Sequence, residues 1–265
     1  MNENENIEIK SDTPGDNAPR KSGFRLWLEN FIYHYKWHSI IAFVLIIAVV
    51  VCSVQMCQKE SYDVYVMYAG SHEVKKVNEG GNLSEYVTMM NSLRSVCKDH
   101  DGDGNISVSL DTLYMLSDEE ITKIEKELAE QNKQNGTDYS LSYEQLTRNN
   151  TTFRDRMTYS EYYLCFLSED IFNTYKSVDG FMRFMPLEKY VEDGVTVEYV
   201  EGSEGTAVYL KSTGFSSLPA FSALPENTVI ALRVRSEISA HFSSEENKEL
   251  YRRSEDMLRA ILNYK

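Results

Sequence analysis

The residues best suited to chemistry in this chain stand together in one run, Asp99-His100-Asp101-Gly102-Asp103-Gly104-Asn105-Ile106-Ser107. Calcium takes roughly six to eight hard oxygen ligands, and an EF-hand loop supplies them from alternate positions, with a glycine at the sixth for the sharp turn. Counted from Asp99, the residues Asp101, Asp103, Asn105 and Ser107 fall on the third, fifth, seventh and ninth positions, and Gly104 on the sixth. The twelfth should be a bidentate acid. It is Leu110, with Asp111 one residue late and a strand, not a helix, expected to follow. An incomplete ligand set lowers affinity, although extracellular calcium sites work while weak. The candidate metal set is therefore Asp99, Asp101, Asp103, Asn105, Ser107 and Asp111, with calcium as the cofactor. The alternative is a bare Asp/Gly turn joining a helix to a strand.

Gly70, Ser71 and His72 form a second candidate, for ligand binding. They follow an apolar strand, and α/β sheets bind ligands at strand carboxyl ends, where Gly70 and Ser71 would expose backbone donors. Against this, a lone loop histidine is ordinarily just solvated, no Cys or acid partner is specified, and His100 and His241 show no zinc spacing with it. No Gly-x-Ser-x-Gly or phosphate loop occurs, since Gly202-Ser203-Glu204-Gly205 lacks the Lys-Ser/Thr ending and reads as a hairpin turn. No residue is assigned a catalytic role.

The element that places all of these is Ser39–Cys57, SIIAFVLIIAVVVCSVQMC, which carries no charge. As a helix it spans ~28 Å, close to the hydrocarbon thickness of a bilayer. Apolar residues surround it on every side, which argues for a membrane span over a buried core helix. The long charged stretch before it and the lack of a small-x-small site argue for an uncleaved anchor over a signal peptide. Arg20, Lys21, Arg25 and Lys36 precede the span and only Lys59 closely follows it, so the N-terminus is expected in the cytoplasm. Trp27, Phe31, Tyr33, Tyr35 and Trp37 would then lie at the inner interface.

Residues 1–59 are charge-balanced, so the whole formal charge of −14 belongs to residues 60–265. Such an acidic surface disfavours nucleic acid as a partner and is compatible with weak cation binding. Two of the four cysteines, Cys52 and Cys57, lie in the span. Cys97 and Cys165 read as buried free thiols or as a single bridge, and spacing does not decide between these.

The sequence divides into a disordered tail (1–22), a juxtamembrane amphipathic segment (23–38), the transmembrane helix (39–57) and an extracytoplasmic α/β domain (60–265). The juxtamembrane run either lies on the inner leaflet or extends the span inward. Apolar alternation predicts strands at 62–69, 106–110, 162–167 and 228–235, and a hairpin from 195–200 and 206–211. Helical spacing predicts helices over 83–98, capped by Asn82 or Ser84 after a loop at Gly80 and Gly81, and over 245–264. Ser117-Asp118-Glu119-Glu120 opens another helix. Residues 131–150 read as a loop holding a short helix at 143–148, with a second short helix at 153–157. Ser168 caps a helix that ends at Asp179-Gly180. Strands separated by helices give the fold class α/β, a mostly parallel, mixed sheet flanked by helices. Of the eighteen tyrosines, Tyr139, Tyr143, Tyr159, Tyr162 and Tyr163 cluster in sequence, as core residues or as a contact surface.

The stretch YYLCFLSEDIFNTYKSVDGFMRFMPLEKYV resembles one common in extracellular solute-binding proteins, through Tyr162–Leu167, Ile171–Tyr175, Gly180 and Pro186-Leu187-Glu188-Lys189-Tyr190. The likeness covers one lobe, Tyr62 to Val191, and implies a solute-binding fold without the second lobe that would close a cleft. The whole chain is similar to uncharacterised single-pass membrane-anchored proteins of Gram-positive gut bacteria, which share a Tyr-Lys-Trp-His start before the span.

The functional expectation is a membrane-anchored, non-catalytic binding or accessory protein. Lipid holds its anchor, a protein in the membrane or envelope is its partner, and the acidic loop takes calcium. A solute-binding receptor and a hydrolase around His72 are the competing classes.

Overall fold

The computed structural model describes residues 23–57, 62–77, 83–178, 181–235 and 244–265. The expected tail, Arg20, Lys21, Lys59, the Gly80-Gly81 loop, Asn82, Asp179-Gly180 and His241 lie outside them. The chain forms two compact units, Met1–Glu60 and Ser61–Lys265.

In the first unit one helix, α1 (Gly23–Cys57), runs without a break. The juxtamembrane run therefore continues the apolar helix. At 1.5 Å per residue its 35 residues measure ~52 Å, well beyond a bilayer core. Its window long and apolar enough to cross a membrane is Phe31–Ser53, mean hydropathy 2.1. That window begins eight residues before Ser39.

The second unit is a three-layer α/β domain. Strands β1 (Val64–Gly70), β2 (Val108–Tyr114), β3 (Leu164–Ser168), β6 (Ala207–Tyr209) and β7 (Thr228–Leu232) make one sheet in the order β2-β1-β3-β7-β6. β1 pairs in parallel with β2 and β3, while β7 runs antiparallel to β3 and β6. The two-residue strands β4 (Ser177–Val178) and β5 (Phe181–Met182) pair apart from it.

Side chains alternate across β1 and β3, which sorts the core into two layers. Val64, Val66 and Tyr68 face one side with Leu164 and Phe166, against Met89 and Leu93 of α2 (Glu85–Arg94) and Leu258 and Ile261 of α6 (Glu245–Leu262). Met67 and Ala69 face the other with Cys165 and Leu167, against Phe153 of α4 (Tyr143–Tyr159) and Phe172 of α5 (Glu169–Tyr175). Cys97 and Cys165 belong to different layers and are both free. Burial pushes each thiol up to about 12.

Local chemistry sets the helix starts. Ser84 caps α2 by accepting from the Val87 N–H, and α3 (Asp118–Asn135) opens on a full capping box between Ser117 and Glu120. Gly136 ends α3 in the left-handed conformation, φ 66°. Two sequence readings change. Residues 143–159 form a single 17-residue helix, and the expected hairpin shrinks to a Tyr199–Val208 bridge, with β6 laid against β7. Arg233, just past β7, is 4 % exposed and sends its guanidinium to the carbonyls of Met157 and Ser160 at the end of α4, while lying over the Tyr163 ring.

Candidate metal centre

The loop between α2 and β2 is held from its base by a residue far away in sequence. Because β1 and β2 run in parallel, the residue before β1 lies beside the loop that enters β2. That residue is Asp63, fully buried. Its Oδ1 accepts from the His100 N–H at 2.8 Å, its Oδ2 from the Ser107 N–H at 2.8 Å, and its own N–H donates to the Ser107 carbonyl at 2.9 Å. One carboxylate thus pins both ends of the loop.

Within the loop each acid turns the chain around itself. Asp99 accepts from the N–H groups of Gly102 (2.7 Å) and Gly104 (2.9 Å), Asp101 from Asp103 (3.1 Å), and Asp103 from Asn105 (2.6 Å). Gly102 and Gly104 take positive φ, 74° and 85°, which lets the backbone fold over Asp99. The Gly102 and Gly104 hydrogen bonds hold the Asp99 carboxyl below the usual carboxylate range. Carboxylate oxygens of Asp63, Asp99 and Asp101 lie within 4.8 Å of one another, a grouping that could hold a metal ion. All three donors are hard oxygens, which suit magnesium, calcium or manganese and not a thiolate-preferring ion.

Of the expected ligands, Asp99 and Asp101 come together with Asp63, and Asp103, Asn105 and Ser107 lie along the same loop. Asp111 does not join them. It sits on β2 opposite Met67, and its carboxylate pairs with Arg156 at 3.0 Å. The strand starts at Val108 and carries Asp111 away from the turn.

The second candidate lies at the other end of the parallel strands. Gly70 is the last residue of β1, and the Tyr68 hydroxyl folds back to within 2.8 Å of where a Cβ at Gly70 would stand. The same hydroxyl accepts from the His72 N–H. The His72 Nε2 and Glu85 Oε1 are 2.5 Å apart, and against an ionised carboxylate that nitrogen carries the proton. His72 lines an open cleft of about 520 Å³ with Lys76, Thr112, Tyr114 and Gln145, while Gly70 and Ser71 stay outside it. Among the tyrosines singled out, Tyr139, Tyr143 and Tyr159 are exposed, whereas Tyr162 and Tyr163 are buried.

Asp63 had no local signal in the sequence. A carboxylate directly before a strand that pairs in parallel with the strand after an Asp/Gly loop is the pattern that finds Asp63. Glu85 was findable as an acid in the first turn of the helix that follows His72. Comparison with family models, curated proteins and solved structures yields no match, so the site is read from its own geometry.

Proposed function

We propose that the chain is a single-pass membrane protein whose domain stands outside the cytoplasm and acts by binding, as an accessory component of a membrane or envelope assembly, with calcium ordering its acidic loop. The convergence of buried Asp63 with Asp99 and Asp101 carries this reading. It supplies from the neighbouring strand a carboxylate that the loop lacks at its twelfth position. Oxygen-only ligands and an acidic domain both favour a hard divalent cation. Anchorage is supported by Phe31–Ser53, and orientation by Lys36 at the amino end of the span with the other bases before it. The exposed rings of Tyr139, Tyr143 and Tyr159 suit contact with a protein partner.

A solute- or substrate-binding site around His72 is the second reading, favoured by the Glu85 carboxylate that orients the imidazole on the wall of the cleft. A hydrolase would need a nucleophile on the free ring nitrogen, and His72 Nδ1 has no hydrogen bond among the described residues.

The test is the melting temperature of the full chain in detergent, in millimolar calcium and in excess chelator, with Asp101→Ala as control. Calcium at a hundred times its Kd stabilises the folded state by about 2.7 kcal/mol. A calcium-dependent rise that the variant loses supports the site. Coincident melts at every calcium concentration reduce the loop to a turn.

A further inference from the structure

Helix α1 carries two histidines four residues apart, His34 and His38, both exposed. At this spacing two imidazoles project from one face of a helix, one turn above the other, close enough to share a metal ion. They are embedded in rings. Phe24, Trp27, Phe31 and Tyr35 stack in sequence at centroid distances of 6.1, 5.5 and 5.3 Å, and Tyr35 meets His38 edge-on at 6.1 Å.

The row does not stop at the rings. Phe24, Trp27, Phe31, His34, His38 and Ile41 follow one another at alternating steps of three and four, and Leu45, Ala48 and Cys52 continue the same steps. This is the spacing of a helix–helix seam. No charged residue falls on it. Glu29 and Lys36, seven apart, share a face that at 100° per residue lies roughly opposite.

We propose that His34 and His38 bind a zinc-class divalent ion together with the same two histidines of a second, parallel copy of the chain. Imidazole suits zinc, copper and nickel, and zinc takes four ligands in a tetrahedron. One helix supplies two. Among the described residues the single grouping of three or more His, Cys, Asp or Glu is at Asp63, Asp99 and Asp101, so no third ligand of these types from the described residues joins the histidines. A two-fold axis along the uncharged seam doubles the pair to four and seals the ion between helices. The site lies near the amino end of Phe31–Ser53, among aromatic residues of the kind that settle at a membrane interface, where an ion can enter from water.

The experiment uses the full chain in lipid nanodiscs, with cobalt(II) as the coloured stand-in for zinc and calcium in excess to fill oxygen sites. The expected result is a tetrahedral cobalt absorption band that saturates at one ion per two chains. It is lost in His34→Gln/His38→Gln and kept in Asp99→Asn/Asp101→Asn. In a Cys57→Ser background, zinc raises oxidative cross-linking through Cys52, and Cys52→Ser removes the product. A band that survives the double histidine variant, saturation at one ion per chain, or cross-linking indifferent to zinc overturns the proposal. The aspartate variant separates this outcome from failure of the calcium loop.

Discussion

In an Asp63→Ala variant the N–H groups of His100 and Ser107 lose their acceptor together, each 2.8 Å from the carboxylate in the parent. Hydrogen bonds to a charged group contribute about 1.5–3 kcal/mol apiece, so the pair is worth about 3–6 kcal/mol. Both donors belong to half-buried residues that water can partly serve, which places the net loss near the lower figure, about 3 kcal/mol. In a domain of about two hundred residues each kcal/mol moves Tm by ~2–4 °C, so the melt should fall by ~6–12 °C. Both tryptophans, Trp27 and Trp37, lie in α1, so the tyrosine circular-dichroism signal of the full chain in detergent is the probe that follows the domain. Asp99→Ala is the contrast. Its carboxylate is exposed and the Gly102 and Gly104 donors it serves face water, so its melt in chelator should match the parent while the calcium-dependent rise disappears. If Asp63→Ala melts within about 2 °C of the parent in chelator, Asp63 does not brace the loop and the reasoning fails.

Arg233→Met leaves the Met157 and Ser160 carbonyls without their buried donors and should cost about 2–4 kcal/mol, seen as a lower urea midpoint at unchanged slope. Arg233→Lys should recover less than half of that loss, because a compact ammonium cannot span two carbonyls as a planar guanidinium does; full recovery would refute the account. Cys97 and Cys165 should resist iodoacetamide in the folded protein, since burial keeps both thiols protonated. The sign in stability follows from the raised pKa. The contribution of each thiol is complete below pH 9, its unfolded value, and fades as pH climbs toward about 12, so Cys165→Ala should flatten the alkaline fall measured by urea unfolding.

Strands β1, β2, β3 and β7 were legible because their apolar alternation or continuous apolar runs are local, as were the Ser84 cap and the Ser117/Glu120 box. α4 was not. Only Phe153 and Met157 of its 17 residues are buried, and Asn149 and Asn150 interrupt the apolar row that Leu146 begins, so the pattern broke into two short pieces. The 195–211 hairpin shortened because its second arm turns into a 3-10 helix at Leu210, which leaves β6 only three residues and a bridge from Tyr199 to Val208. In the acidic loop the ligand spacing was readable while its closing carboxylate was not, since Asp63 reaches it through strand pairing across 36 residues of sequence.

The strand that follows α1 is β1, and β1 lies inside the sheet, flanked by β2 along all seven of its residues and by β3 along four. A pull arriving through the chain before Tyr62 is therefore directed along a strand clamped by parallel neighbours on both sides. Such a pull loads the flanking hydrogen bonds in shear, many at once, and cannot peel them off one by one as it would at an edge. At the point of attachment, before β3 joins the pairing at Val66, Asp63 ties the start of the strand to the acidic loop. Tension on the chain before β1 is met inside the sheet, and β6 at the far edge is spared it.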